Sequence, residues 1–142
     1  MTLLDAYALI ALVADQPAAG EVQELIRGGG CRASVINVAE TVDVSHRVLT
    51  LEIAEIREVL DPLFLDEVAL VEPEESHAWS AAALRSRYYD RDNRAISLAD
   101  CFLLAHASED GAVATSDPPV AEVARAEGIE VVALPDSSGQ RP

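Results

Sequence analysis

The chain alternates short apolar runs with longer stretches whose apolar residues recur at helical spacing, and glycine, proline or acidic residues separate them. Leu3-Leu4 is a brief run that stops at Asp5, and residues 6–14 then read as a buried helix. Pro17 opens a second helical stretch carrying Val22, Leu25 and Ile26, which Gly28-Gly29-Gly30 ends. Residues 31–36 are predicted as a second strand, followed by a helix from Asn37 to Val48. Across 50–61, Leu51, Ile53, Ile56, Val59 and Leu60 fall close to helical spacing with acids between them. Residues 68–71 form a third strand, and Pro73-Glu74-Glu75 starts a helix through Trp79 and Leu84. Residues 85–96 are polar and arginine-rich, the pattern of a fraying helix end and an exposed loop. Ser97 begins a strongly apolar helix through Leu98, Cys101, Phe102, Leu103 and Leu104. A fourth strand at 112–115, a short helix at 118–127 and a fifth strand at 129–134 complete the series.

Strands alternating with helices predict an α/β fold, a three-layer sandwich around a mainly parallel five-stranded sheet. Right-handed crossovers place helices on both faces. Residues 1–135 read as one domain, without internal repeat or boundary, and the polar segment 136–142 is expected to be disordered.

Composition changes this picture little, and charge changes it more. A chain of 142 residues, half of them apolar, can build its core without disulfides or a structural metal. Met1-Thr2 leads straight into Leu3-Leu4-Asp5 with no basic region or small-residue cleavage site, so no signal peptide is expected. No apolar stretch approaches the roughly 20 residues that span a bilayer, and a cytoplasmic protein with no membrane partner is expected. Cys31 and Cys101 lie far apart in apolar surroundings and read as buried thiols; His46, His77 and His106 form no ligand-spaced pair. The net charge is −15, and all ten basic residues are arginine. The absence of lysine excludes Schiff-base chemistry and the phosphate-loop lysine. So acidic a chain does not attract nucleic acid through its overall field. Arg85, Arg87, Arg91 and Arg94 nevertheless fall within one ten-residue stretch, with Tyr88 and Tyr89 among them.

The acids supply the candidate chemistry. In open parallel sheets ligands bind outside the carboxyl ends of the strands. Asp5 and Asp117 follow the first and fourth predicted strands, Glu40 lies about one helical turn past the second, and Asp100 is in the first turn of the apolar helix. Carboxylates gathered there repel one another unless a cation compensates, and Mg²⁺ or Mn²⁺ suits an all-oxygen site. Each acid also has a structural explanation. Ser97-Leu-Ala-Asp100 and Asn37-Val-Ala-Glu40 match the capping box, Asp117 precedes a helix-starting proline, and Asp5 fits a helix cap. Asp5 and Glu40 add something, because each is set in nearly continuous apolar sequence where an unpaired carboxylate is expensive to bury.

The segment Leu3-Leu4-Asp5-Ala6-Tyr7-Ala8-Leu9-Ile10-Ala11-Leu12 resembles the opening of PIN domains, particularly the VapC toxins of toxin–antitoxin pairs. Ser34-Val-Ile-Asn37-Val-Ala-Glu40, Ile96-Ser-Leu-Ala-Asp100-Cys101 and Ala114-Thr115-Ser116-Asp117 resemble the family's second, third and fourth motifs, in order and across essentially the whole chain. The resemblance implies a sheet of order 3-2-1-4-5. It also implies a site in which Asp5, Glu40, Asp100 and Asp117 hold one or two Mg²⁺ or Mn²⁺ ions for endonucleolytic RNA cleavage, with Thr115, Asn37 and the capping Ser97 in support. A VapB-like antitoxin over the acidic crevice and a homodimer follow from the same likeness; exposed apolar residues of 50–65 could contribute to the dimer, with core packing as the simpler explanation. Tyr7 departs from the pattern, standing where many relatives carry a smaller polar residue. Arg85, Arg87, Arg91 and Arg94 are the candidate phosphate contacts and Tyr88 and Tyr89 the candidate stacking residues, against the plainer reading of a solvated helix end. Two other functions compete. A receiver-type phosphorylation domain needs paired acids after the first strand and a lysine near the fifth, and this chain has neither. A PIN-like module that only binds partners would keep the fold without metal-dependent cleavage.

Overall fold

The structure, a computed structural model, describes residues 1–142, the side chain of Asp110 apart. In chain order the elements are β1 (Thr2–Leu4), α1 (Ala6–Val13), α2 (Ala19–Gly28), β2 (Cys31–Ser34), α3 (Val35–Arg47) and α4 (Ile53–Asp66). There follow β3 (Val68–Val71), α5 (Glu75–Tyr88), α6 (Leu98–Asp110), β4 (Ala112–Thr115), α7 (Pro118–Ala126) and β5 (Glu130–Ala133). The strands form one five-stranded sheet of order β3-β2-β1-β4-β5, parallel throughout.

Side-chain alternation along the short strands divides the core. Leu3 and Val113 point into one layer with Leu84, Ile96, Leu103, Leu104, Val120 and Val123 of the segments around α5, α6 and α7. Leu4 and Ala114 point the other way, against Leu9, Val22, Ile26, Ile56 and Leu60 of α1, α2 and α4. Because both faces are covered, β1 and β4 are apolar except for one threonine at an end of each, Thr2 and Thr115. Helix α3 packs on α1 and α4 and also on α6, so it touches helices of both layers. Its fully buried positions are all polar (Asn37, Thr41 and Ser45, one turn apart). The Thr41 hydroxyl donates to the Asn37 carbonyl at 2.7 Å.

Several boundaries differ from the sequence pattern. β2 ends at Ser34, and α3 starts two residues earlier than expected because the Ser34 hydroxyl accepts from the Ile36 amide at 3.3 Å. That cap overrides the strand preference of Val35 and Ile36, and it makes Asn37 a buried first-turn residue rather than the start of a capping box. Helix α4 continues through Pro62 to Asp66. Leu63 and Phe64 pack on the core there, and their burial offsets a proline cost of about 3 kcal/mol. Composition argues for disorder over 136–142, yet Asp136 Oδ1 accepts from the Ser138 and Gln140 amides at 2.8 and 2.9 Å. Arg141 then reaches back to Glu21 at 2.6 Å. Both cysteines are buried free thiols, and His77 and His106 stack at 3.9 Å between α5 and α6 as core residues. Among the described residues, no helix is long and apolar enough to cross a membrane.

Candidate active site

The chain leaves β1 toward β2 on one side and β4 toward β5 on the other, so the carboxyl ends of these two central neighbours flank a topological switch point. Asp5 is the first residue past β1, and its amide donates to the Ala114 carbonyl of β4 at 3.1 Å. Its Oδ1 caps α1, accepting from the Ala8 amide at 2.6 Å. Its Oδ2 is buried without a hydrogen-bond partner. Asp117 lies two residues past β4, where its amide donates to the Thr115 hydroxyl at 2.9 Å. Asp117 holds the N-cap position of α7, yet its carboxylate makes no capping bond. Pro118 and Pro119 have no N–H to offer it, and the Val120 amide is not used either.

At the start of α6, Ser97 and Asp100 form the expected capping box. The Ser97 hydroxyl accepts from the Asp100 amide at 3.0 Å, and Asp100 Oδ2 accepts from the Ser97 amide at 2.8 Å. Glu40, on α3, is half-buried, with Oε2 lacking a partner. One turn earlier, both polar atoms of the buried Asn37 amide also lack a hydrogen bond.

The electrostatics join the four acids. Burial pushes the Asp5 carboxyl up to about 7, and the charges of Asp100 and Asp117 add to it. The Thr115 hydroxyl and Ala8 amide oppose the rise, although no hydrogen bond of good geometry joins Thr115 to Oδ2. Burial and then Asp100 raise Asp117 to about 6. Glu40 is raised by burial, then by Asp100, with Asp117 adding, while the neighbouring Asn37 amide pulls it down without a hydrogen bond of good geometry. The Tyr7 phenol is raised by burial first and then by Asp117, Glu40, Asp100 and Asp5 together, so it stands in the field of all four.

Four uncompensated carboxylates around one crevice, two with buried orphan oxygens, fit a hard divalent cation by donor chemistry. They are not drawn into a coordination shell: among the described residues, no three acids, histidines or cysteines are arranged to hold an ion.

Beside Asp117 opens a cleft of about 250 Å³ lined by Tyr7, Gln16, Ser116, Pro118, Asp136 and Ser137. Gln16 and Asp136 carried no signal in the sequence, since one sits in an inter-helix turn and the other in a tail-like segment. No residue of the arginine cluster lines this cleft. Arg87 pairs with Glu127 at 2.6 Å, Arg94 pairs with Glu122, and Arg85 stacks over Tyr89 at 4.7 Å. Tyr88 donates to the same Glu127 at 2.5 Å. Two of the four guanidiniums and one of the two phenols are thus engaged by acids of α7 and the residue after it. Arg91 is exposed in the loop.

The model of one family, the PIN domain, matches residues 2–126. No curated protein matches the sequence. Among solved structures, the chain is similar to Mycobacterium tuberculosis VapC20, described as a Sarcin-Ricin loop cleaving toxin. The TM-score is 0.70 at 16% identity, over 100% of both chains. DNA-bound VapBC from Salmonella typhimurium gives 0.66 at 18% identity, covering 92% of this chain and 95% of that one. FitAcB from Neisseria gonorrhoeae gives 0.59 at 23% identity, covering 92% and 96%. At these identities the likeness establishes a shared fold.

Proposed function

The chain belongs to the PIN domain family, and from that premise we propose that it is a divalent-metal-dependent endoribonuclease, the toxin of a toxin–antitoxin pair. The observation that carries the proposal is the grouping of Asp5, Glu40, Asp100 and Asp117 in one electrostatic field at the β1/β4 switch point. A fold shared with VapC20, itself described as a Sarcin-Ricin loop cleaving toxin, supports RNA as the substrate class.

Asp5, Asp100, Asp117 and Glu40 would hold Mg²⁺ or Mn²⁺, which when bound polarises the scissile phosphate and acidifies an attacking water. The chain's own residues fix where this happens. Asp5 is held by its cap to Ala8 and Asp100 by Ser97, so two carboxylates are oriented before any ligand arrives, and Thr115 fixes the backbone of a third, Asp117. With Asp5 near 7 and Asp117 near 6, the ligand-free site retains part of a proton at neutral pH, which these carboxyls would release on holding a cation.

A VapB-like antitoxin is the proposed partner, on the strength of the VapBC neighbours. A basic antitoxin segment laid over the crevice would complement a chain of net charge −15. The proposed homodimer would use the exposed apolar residues Ile53 and Leu65 on α4.

Purified protein is incubated with total RNA, with added Mg²⁺ or Mn²⁺ or with EDTA, and Asp5→Asn runs in parallel. Metal-dependent cleavage that disappears in Asp5→Asn is the expected result. Cleavage at the parent rate by a folded Asp5→Asn sinks the site assignment, and metal-independent silence of both proteins favours the binding module.

A further inference from the structure

Tyr7 stands half exposed on α1, although Ala6 and Ala8 on either side are buried. Its ring lines the cleft of about 250 Å³ together with Gln16, Ser116, Asp117, Pro118 and Asp136. The lining divides by chemistry. The phenol ring and the proline ring offer flat apolar surface, while the amide, hydroxyl and carboxylate offer hydrogen bonds at its edge. Unpaired RNA bases are recognised in this way, by stacking on an aromatic face with polar groups reading the base edge.

We propose that this cleft is a nucleobase subsite, in which one unpaired RNA base stacks on Tyr7 and presents its edge to Gln16 and Asp136. The assignment rests on the nuclease reading and deepens it, because Asp117 belongs both to the acid group and to the cleft wall. The polar wall is held in place. The Gln16 amide donates to the Ala11 carbonyl at 3.0 Å and its carbonyl accepts from Ala19 at 2.9 Å, which anchors the backbone under the side chain. Asp136 is fixed by its turn, whose hydrogen bonds fall on Oδ1, and the segment beyond is tied down by Arg141 on Glu21. A carboxylate only accepts hydrogen bonds, so Asp136 selects a base carrying an exocyclic amino group. Adenine, cytosine and guanine carry one, whereas uracil offers a carboxylate only its N3–H, set between two carbonyls.

The test measures binding by fluorescence anisotropy, so that it does not depend on cleavage. Labelled 12-mers of A, C and U are titrated in Mg²⁺ against the Asp100→Asn protein and against the same protein carrying Tyr7→Ala, Tyr7→Phe or Asp136→Asn. Stacking contributes roughly 1–3 kcal/mol per base, so Tyr7→Ala is expected to weaken the A and C oligomers about tenfold. Tyr7→Phe should stay within twofold of its background. Asp136→Asn should remove the preference of A and C over U, and melting curves should show all variants folded. A folded Tyr7→Ala protein that binds like its background overturns the subsite, whatever the parent does to RNA. Tyr7-dependent binding by a parent that cleaves nothing keeps the subsite and removes the nuclease reading. No binding of any oligomer, together with no cleavage, removes both.

Discussion

One oxygen of Asp5 caps α1 while the other is buried with nothing to bind, so the same carboxylate serves the fold and strains it. Its pKa rises from 3.8 to about 7 on folding, which means the native state holds the proton more tightly than the unfolded chain. Stability therefore falls as pH rises from about 4 toward 7, and the loss is complete above the folded pKa. Asp117 and Glu40, also raised, act in the same direction. The carboxylates that folding lowers from 4.5, such as Glu122 and Glu127, oppose the trend only at the acid end of this window. Asn keeps the capping oxygen without the charge. In EDTA at pH 8, Asp5→Asn is accordingly expected to melt at least about 3 °C above the parent, with the gap closing as pH falls to 5. Thermal melts at both pH values check this, and a variant less stable than the parent at pH 8 would show that the buried carboxyl is not destabilising.

At the level of elements, the cap and ligand explanations of the same acid turn out to be compatible, because a carboxylate has two oxygens and a cap uses one. Helix α6 shows this most clearly, since the Ser97–Asp100 box fixes the helix start and the site acid together. Ser97→Ala should cost about 1 kcal/mol of stability and lower the cleavage rate severalfold, although it removes no acid. Ser97→Thr should restore both. Urea unfolding and initial rates read the two effects separately, and full activity at reduced stability would mean that the cap does not position Asp100. The same element view shows what was legible in the sequence. The strands, helices and layers followed from period, because each is written in residues a few positions apart, whereas the strand order and the gathering of the four candidate acids came only with the likeness to PIN domains. The early start of α3, the run of α4 through Pro62 and the contacts of the final turn were not, because packing or a distant partner decides them. The cleft was equally hidden, since Tyr7 and Asp136 meet only after the whole chain has folded.

For the whole molecule, a net charge of −15 sits badly with RNA binding unless few phosphates are neutralised by side chains. At least five of the ten arginines are already spoken for: Arg47, Arg57, Arg87, Arg94 and Arg141 all pair with acids of the same chain. Two of these belong to the cluster that sequence reading put forward for phosphate contact. Their partners, Glu122 and Glu127, lie 28 and 40 positions away, beyond the reach of any local pattern. Arg85 and Arg91 remain as the cluster's candidates for phosphate. Two contacts on single-stranded RNA give a slope of log affinity against log salt of about −1.4. Affinity should then fall only roughly sevenfold between 50 and 200 mM salt, with the divalent cation carrying the rest of the attraction. Reversing Arg91 to Glu should flatten the slope by about 0.7, whereas reversing Arg87 should mainly destabilise the fold by setting two acids against each other at Glu127. Filter binding across that salt range decides the matter. A slope near −3 or steeper would mean that the Glu122 and Glu127 pairs open to RNA and that the whole cluster, not half of it, faces the phosphate backbone.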